Sequence, residues 1–192
     1  MPKLGMEPIR RAALVDATIA EVGAHGTLDV TVAKIARRAG VSSALAHHYF
    51  GGKSDLFTAA MRSILSRYGT GVRAGLKRAT GPRARLDAIL SASFAPDNFR
   101  HDVVAAWMTF YVQAQVSPPV RRLLSVYHRR LRANLLHELR PLTGDRAPLI
   151  AEIIAALIDG IYIRAALSDQ DTDAADALHL TRDTLNMLLE TK

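Results

Sequence analysis

Residues 31–53 gather the side chains that nucleic acid binding asks for, in a short space. Ser42, Ser43, His47, His48, Tyr49 and Lys53 supply hydroxyls, imidazoles and an ammonium, and Ala44 adds one small apolar surface. Small and polar groups of this kind can approach base edges in a major groove, while a phenol and an ammonium at the start of a helix can meet phosphate oxygens beside free backbone amides. A second set suits a different chemistry. Trp107, Phe110 and Tyr111 lie at helical spacing, Tyr127 and Tyr162 can join them from other helices, and Asp159 interrupts an apolar run three residues before Tyr162. Quaternary ammonium groups cannot donate hydrogen bonds, so sites that select them use aromatic faces, sometimes with a carboxylate. A packed helical core uses the same spacing, and a solvated stripe of Glu152 with Asp159 would explain the acid equally well. From these residues alone, the core reading is the stronger one.

The elements that position the first set can be read from the pattern. Val32, Ile35, Ala36 and Ala39 repeat at the period of one buried helix face, with Lys34, Arg37 and Arg38 outside. Thr31 is placed to cap that helix, Gly40 to turn left-handed after it, and Ser42 to cap a second helix with Leu45 inward and Ser43, Ala44, His47 and His48 outward. This is a helix-turn-helix, expected over 31–50. A preceding helix carries Val15, Ile19 and Val22 and ends near Gly26, and a following one carries Leu56, Phe57, Ala60, Met61, Ile64 and Leu65.

Beyond residue 68 the punctuation is helical throughout, and no strand is expected. Gly81-Pro82, Pro118-Pro119, Pro141 with Gly144, and the acidic stretch 169–173 separate apolar-periodic segments at 82–94, 102–115, 119–140, 147–168 and 172–189. The segment 147–168 is apolar around most of its circumference, so it is expected to meet more than one neighbour. Packing the last two helices on their copies, through Ile154, Leu157, Ile161, Leu185 and Leu188, would make a homodimer. Such a two-fold bundle suits a palindromic operator.

Composition narrows the class further. The 192 residues carry a formal net charge of +7, and residues 1–68 hold nine Lys/Arg against five Asp/Glu, so the excess is densest around the helix-turn-helix. The basic run of Arg121, Arg122, Arg129, Arg130 and Arg132 reads as a solvated helix face. No cysteine is present, which fits a reducing cytoplasm and removes thiolate metal sites and cysteine nucleophiles. Neither a signal peptide nor a membrane span is expected. Adjacent His47 and His48 diverge by about 100° on a helix and cannot share one ion, so no metal is expected. An enzyme would need a Gly-rich phosphate loop, a nucleophile elbow or paired carboxylates with a histidine, and the chain offers none of them. A helical interaction module would leave residues 31–53 without purpose.

The run Thr31-Val32, Ile35-Ala36, Ala39-Gly40-Val41-Ser42, Tyr49-Phe50 and Lys53 resembles the TetR-type DNA-binding domain. That resemblance implies an all-α fold of about nine helices. A three-helix DNA-binding unit at 1–68 would run into a connecting fourth helix, and a helical effector-binding and dimerisation domain would follow at 69–192. The opening MPKLGMEPIRR, Ala106-Trp107 with Phe110-Tyr111, Arg129-Arg130-Leu131 with Asn134-Leu135, and Ala156-Leu157-Ile158-Asp159-Gly160 through Arg164-Ala165-Ala166-Leu167-Ser168 resemble the choline-responsive, BetI-type repressors of glycine betaine synthesis. The resemblance implies a repressor of choline uptake and betaine synthesis genes, with no cofactor, relieved by choline or a related quaternary amine. The alternative is a TetR-type repressor of an efflux or catabolic operon that senses another hydrophobic or cationic molecule. With the resemblance, Trp107, Phe110, Tyr111, Tyr127 and Tyr162 become an aromatic cage and Asp159 its counter-charge. Tyr111 and Tyr162 stand where better-known members carry tryptophan.

Overall fold

A computed structural model describes residues 5–168 and 173–190. Among the described residues there are nine α-helices, α1 (Met6–His25), α2 (Val32–Arg38), α3 (Ser43–Phe50), α4 (Lys53–Arg78), α5 (Pro82–Ser93), α6 (His101–Val116), α7 (Pro118–Thr143), α8 (Ala147–Leu167) and α9 (Ala174–Glu190), with a single 3-10 turn before α8 and no strand. The acidic stretch expected between the last two helices lies, apart from Asp173, outside the described residues, as do residues 1–4 of the opening.

Local chemistry accounts for most boundaries. Gly26 closes α1 at φ +61° and Gly40 turns the chain after α2 at φ +68°, conformations that strain a residue bearing a Cβ. The Thr31 hydroxyl accepts from the Lys34 amide at 3.2 Å and the Ser42 hydroxyl from the Leu45 amide at 3.2 Å, so both expected caps are formed. The helix α7 departs from expectation. It continues through Pro141 for its last turn and stops at Gly144, because a proline that close to the end removes little of the helical ladder.

Two apolar clusters hold the chain. The small one joins Leu14, Ala17, Val30, Ile35, Ala36, Ala46 and Leu56 beneath α2 and α3. The large one begins at Ile19 and Val22 of α1 and Phe57 of α4 and continues through α5 to α9. Thus α1 and α4 belong to both, and residue 68 lies inside α4 rather than at a break. With 26 residues, α4 spans about 39 Å and links the two clusters as a continuous rod. A second link is made by α1 against α6. There Gly23 is buried so tightly against the Asp102 backbone that a Cβ would collide with it.

The last two helices require a correction. Ile154 is 0% exposed, Ile161 7% and Leu185 5%, so these expected partner-facing residues are covered by their own chain. Leu157 and Leu188 are half-buried against the same large cluster. The reason is that α8 has two apolar faces, and the wheel positions of Ile154 and Ile161 point inward. Its outer face carries Leu149, Ala156, Ile163 and Leu167, all exposed, with Gly160 half-exposed between them.

Candidate nucleic-acid interface and aromatic cavity

The helix α3 has one buried residue, Ala46, while Leu45, expected to be the inward anchor, is only half-buried. A methyl group in that position lets α3 sit close to α2. Ala44, His47 and His48 are exposed and Ser43 is half-exposed, on the outer side as expected. The His47 Nδ1–H donates to the Gly51 carbonyl at 2.7 Å. In the neutral ring this leaves Nε2 pointing outward as an acceptor, a match for a base amino group. Thr31 and Ser42 are exposed but their hydroxyls serve as caps, so their further reach is limited to backbone-adjacent contacts. Lys53 is exposed at the first position of α4, and no side chain caps that helix. Among the described residues, neither the Lys53 ammonium nor the Tyr49 hydroxyl has a partner.

Two features of this region were not read from the sequence. Arg11 of α1 donates from Nη1 to the Tyr49 carbonyl at 2.7 Å and lies 4.5 Å from the Phe50 ring centroid, pinning the end of α3. Glu21, 5% exposed, accepts from Arg38 at 2.9 Å and lies 3.4 Å from the Lys34 ammonium. Burial pushes the Glu21 carboxyl up, yet the Arg38 hydrogen bond and the Lys34 charge together outweigh it and hold it below the usual carboxylate range. Lys34 and Arg38, on the outer side as expected, also fasten α2 to α1. The available signal was an acid near the end of α1, next to the apolar Val22 and one turn beyond Ala17 on the buried face.

The second site lies among α4, α5, α6, α7 and α8. A cavity of about 10 Å³ is lined by Trp107 and Tyr111 of α6, Tyr127 of α7, and Asp159 and Tyr162 of α8. Five of the six residues expected to form a cage are thus brought together. Phe110 is the exception. It is 0% exposed and packs edge-on to Trp107 in the core, away from the cavity. Phe110 and Tyr111 flank Trp107 on opposite sides, their directions about 100° apart, and only the Tyr111 side faces the cavity. The Trp107 ring centroid lies 5.7 Å from that of Tyr111, 5.1 Å from Tyr127 and 6.1 Å from Tyr162.

Hydrogen bonds set these rings. The Tyr111 hydroxyl donates to Asp159 Oδ1 at 2.8 Å, His128 Nε2 lies 3.2 Å from Oδ2, and the Tyr162 hydroxyl donates to the Ser93 carbonyl at 2.5 Å. The half-buried Asp159 is therefore paired by its own chain, which disposes of the solvated-stripe reading; Glu152 instead faces Arg132. Burial raises the phenols of Tyr111, Tyr127 and Tyr162, helped next by the Asp159 charge at Tyr111 and by Tyr68 and then Asp159 at Tyr127 and Tyr162. Burial brings Tyr68 up to about 12 against a lowering contact from Ser93, so all four keep their protons near neutrality. The wall is therefore neutral aromatic surface with one carboxylate edge, which favours a cation without hydrogen-bond donors. Ile64, Tyr68, Ser93 and Asn98 also line the cavity. Tyr68 could have been anticipated, since it continues the Ile64 face of α4 by one turn; Asn98 sits in a connection and carries no periodic signal. No cluster of potential metal ligands is found among the described residues.

A helix-turn-helix head carried on an all-helical body with its own aromatic cavity is the arrangement of a DNA-binding regulator. Comparison agrees: residues 14–60 match the model of bacterial regulatory proteins of the tetR family, and residues 82–190 match the C-terminal domain of BetI-type transcriptional repressors. The chain belongs to the TetR family and carries a BetI-type C-terminal domain. It is 50% identical over 190 residues to an HTH-type transcriptional regulator BetI of Brucella suis, covering 98% of this chain and 96% of that one. Identity to the regulator of the same name from Agrobacterium fabrum is 51% over 191 residues, covering 99% and 93%. Among solved structures, a transcriptional regulator of Pseudomonas aeruginosa superposes with a TM-score of 0.78 at 27% identity, covering 93% of this chain and 89% of the other. A transcriptional regulator of Saccharomonospora viridis, crystallised in complex with choline, gives 0.81 at 19% identity, covering 92% and 95%, a likeness of fold. The protein is accordingly a TetR-type DNA-binding repressor and not an enzyme, and it binds operator DNA and a small-molecule effector.

Proposed function

We propose that this repressor controls genes for choline uptake and glycine betaine synthesis and responds to choline or a closely related quaternary amine. The observation that carries the ligand is the cavity itself, where Trp107, Tyr111, Tyr127 and Tyr162 converge beside Asp159. Aromatic faces with a single carboxylate attract a trimethylammonium group and leave hydrogen-bonding amines undersatisfied. The BetI name borne by full-length relatives and the choline held by the S. viridis regulator support the same reading. At about 10 Å³ the cavity has room for one water-sized body, so a cation enters only if lining side chains move. Tyr68, on the rod that reaches the head, is among them. That is a route from ligand to DNA.

In this reading residues 1–68 are the head and 69–192 the effector and dimerisation domain, joined through α4. Ser43, Ala44, His47 and His48 face base edges; Tyr49, Lys53 and the cap residues Thr31 and Ser42 meet the phosphate backbone. The homodimer forms through the outer face of α8, where Leu149, Ala156, Gly160, Ile163 and Leu167 are unburied, together with α9, where Leu180 is exposed. Two heads related by a two-fold axis then read a near-palindromic site. The test is a gel shift with DNA from upstream of this gene and of choline transport or oxidation genes. The complex is expected to form without choline and to be weakened about five- to 150-fold by saturating choline, a coupling of about 1–3 kcal/mol. A complex indifferent to choline but dissociated by another small molecule would overturn the assignment of effector.

A further inference from the structure

Beside the aromatic cavity, between α4 and α7, runs a groove of about 590 Å³. Its volume falls in the range of small-molecule sites, and its lining differs in charge from that of its neighbour. Arg62, Arg73 and Arg130 border it, and no carboxylate does. Arg73 donates to the Thr70 hydroxyl, whereas Arg62 and Arg130 have no carboxylate partner among the described residues. The floor is apolar, formed by Leu65, Val72, Leu123 and Val126. Tyr68 and Tyr127, packed edge to face with centroids 5.6 Å apart, line both groove and cavity and form the wall between them.

Two observations point to a ligand that spans this wall. Three guanidinium groups disfavour a bare cation in the groove, but they suit a molecule that carries a negative charge a few bonds from its ammonium. In addition, the Tyr68 hydroxyl is buried and makes no hydrogen bond of good geometry, with the Ser93 side chain close by. Buried hydroxyls are normally paired, and this one, kept protonated, is a donor in reserve where the two spaces adjoin.

We propose that the groove binds the anionic half of a zwitterion, a phosphate ester of a choline-like alcohol, whose quaternary ammonium occupies the aromatic cavity. The proposal rests on the cation reading of that cavity. The phosphate takes charge-assisted hydrogen bonds from Arg62 and Arg130, and an ester or phosphate oxygen accepts from Tyr68. Where the ester carries an alkyl chain, the chain lies along Leu65, Val72 and Leu123.

The test is calorimetric titration of choline, phosphocholine and hexylphosphocholine into the full-length protein and into the Arg62→Ala, Arg130→Ala and doubly substituted variants, with thermal melts to verify folding. Both arginines are exposed, so the variants are expected to fold. Phosphocholine is expected to bind the wild type about tenfold more tightly than choline, with each arginine contributing up to about fivefold. The double variant should lose that advantage while its choline affinity holds or rises. A gain with hexylphosphocholine assigns the ligand to a lipid-derived source, and equal affinity assigns it to the free ester. If choline binds and phosphocholine binds no better, or if the arginine variants lower both alike, the groove assignment is overturned and the cavity reading stands. If neither compound binds, both readings fail.

Discussion

Replacing Asp159 with Asn separates charge from shape in the aromatic cavity. Asn is nearly isosteric and can still accept from the Tyr111 hydroxyl, which lies 2.8 Å from Oδ1, so the rings should keep their places. What disappears is one negative charge. A quaternary nitrogen is held off by its methyl groups; at about 5 Å, with an effective dielectric of about 20, its attraction to the carboxylate is about 3 kcal/mol. The Asp159 side chain is 23% exposed and faces His128 at 3.2 Å, and both facts reduce the net effect. The expected loss of choline affinity is therefore about 1–2 kcal/mol, or roughly five- to 30-fold. The uncharged carbon isostere, 3,3-dimethylbutanol, fills the same volume and should change by less than about twofold, because its interaction with the cage is dispersive. Calorimetric titration of both compounds into wild type and variant reads the difference directly. Equal losses for the two, or unchanged choline binding in the variant, would refute the role given to Asp159.

Further outcomes follow from other parts of the molecule. Lys53→Ala should weaken binding to all DNA sequences and lower the salt slope by about one, whereas His47→Ala should change the preference among sequences; a filter-binding salt series with matched and scrambled sites distinguishes them, and an unchanged slope removes Lys53 from the phosphate contacts. Gly23→Ala forces a Cβ onto the Asp102 backbone and should lower stability by about 1–3 kcal/mol in thermal melts, so a melting point equal to the wild type would show that α1 and α6 can separate freely. Because the Glu21 carboxyl is held low in the folded chain, its stabilisation is present above the unfolded value of about 4.3 and fades as pH falls through the folded value. Melts from pH 7 down to pH 3 should therefore show a larger acid loss in wild type than in Glu21→Gln, and parallel curves would contradict the depressed value. Ile163→Glu with Leu167→Glu should give folded monomers by sedimentation, whereas Ile154→Glu, at a position 0% exposed, should unfold the chain; a dimer that survives the first pair places the interface elsewhere.

The DNA-reading head was legible in the sequence because its signals are local. A Thr31 cap, an apolar period through Val32, Ile35 and Ala36, a left-handed Gly40 and a Ser42 cap each act within a few residues, and each appears in the structure at its expected position. Helical class followed for the same reason, since periodicity needs no knowledge of partners. The aromatic cavity was legible only in part. Spacing put Trp107, Phe110 and Tyr111 on one side of α6, but which ring of the adjacent pair Phe110 and Tyr111 faced the cavity depended on where α8 delivered Asp159, some fifty residues away. The same holds for Ile154 and Ile161. Apolarity marks a residue for burial without naming the surface that buries it, and only the packing of α8 against α6, α7 and α9 reserved those two for the core and left Ile163 and Leu167 outside. Pairings such as Glu21 with Arg38 and Asp159 with His128, and the approach of Arg130 to Tyr68, belong to the same class. They join residues that chain order keeps apart, and tertiary contact alone decides which charges meet.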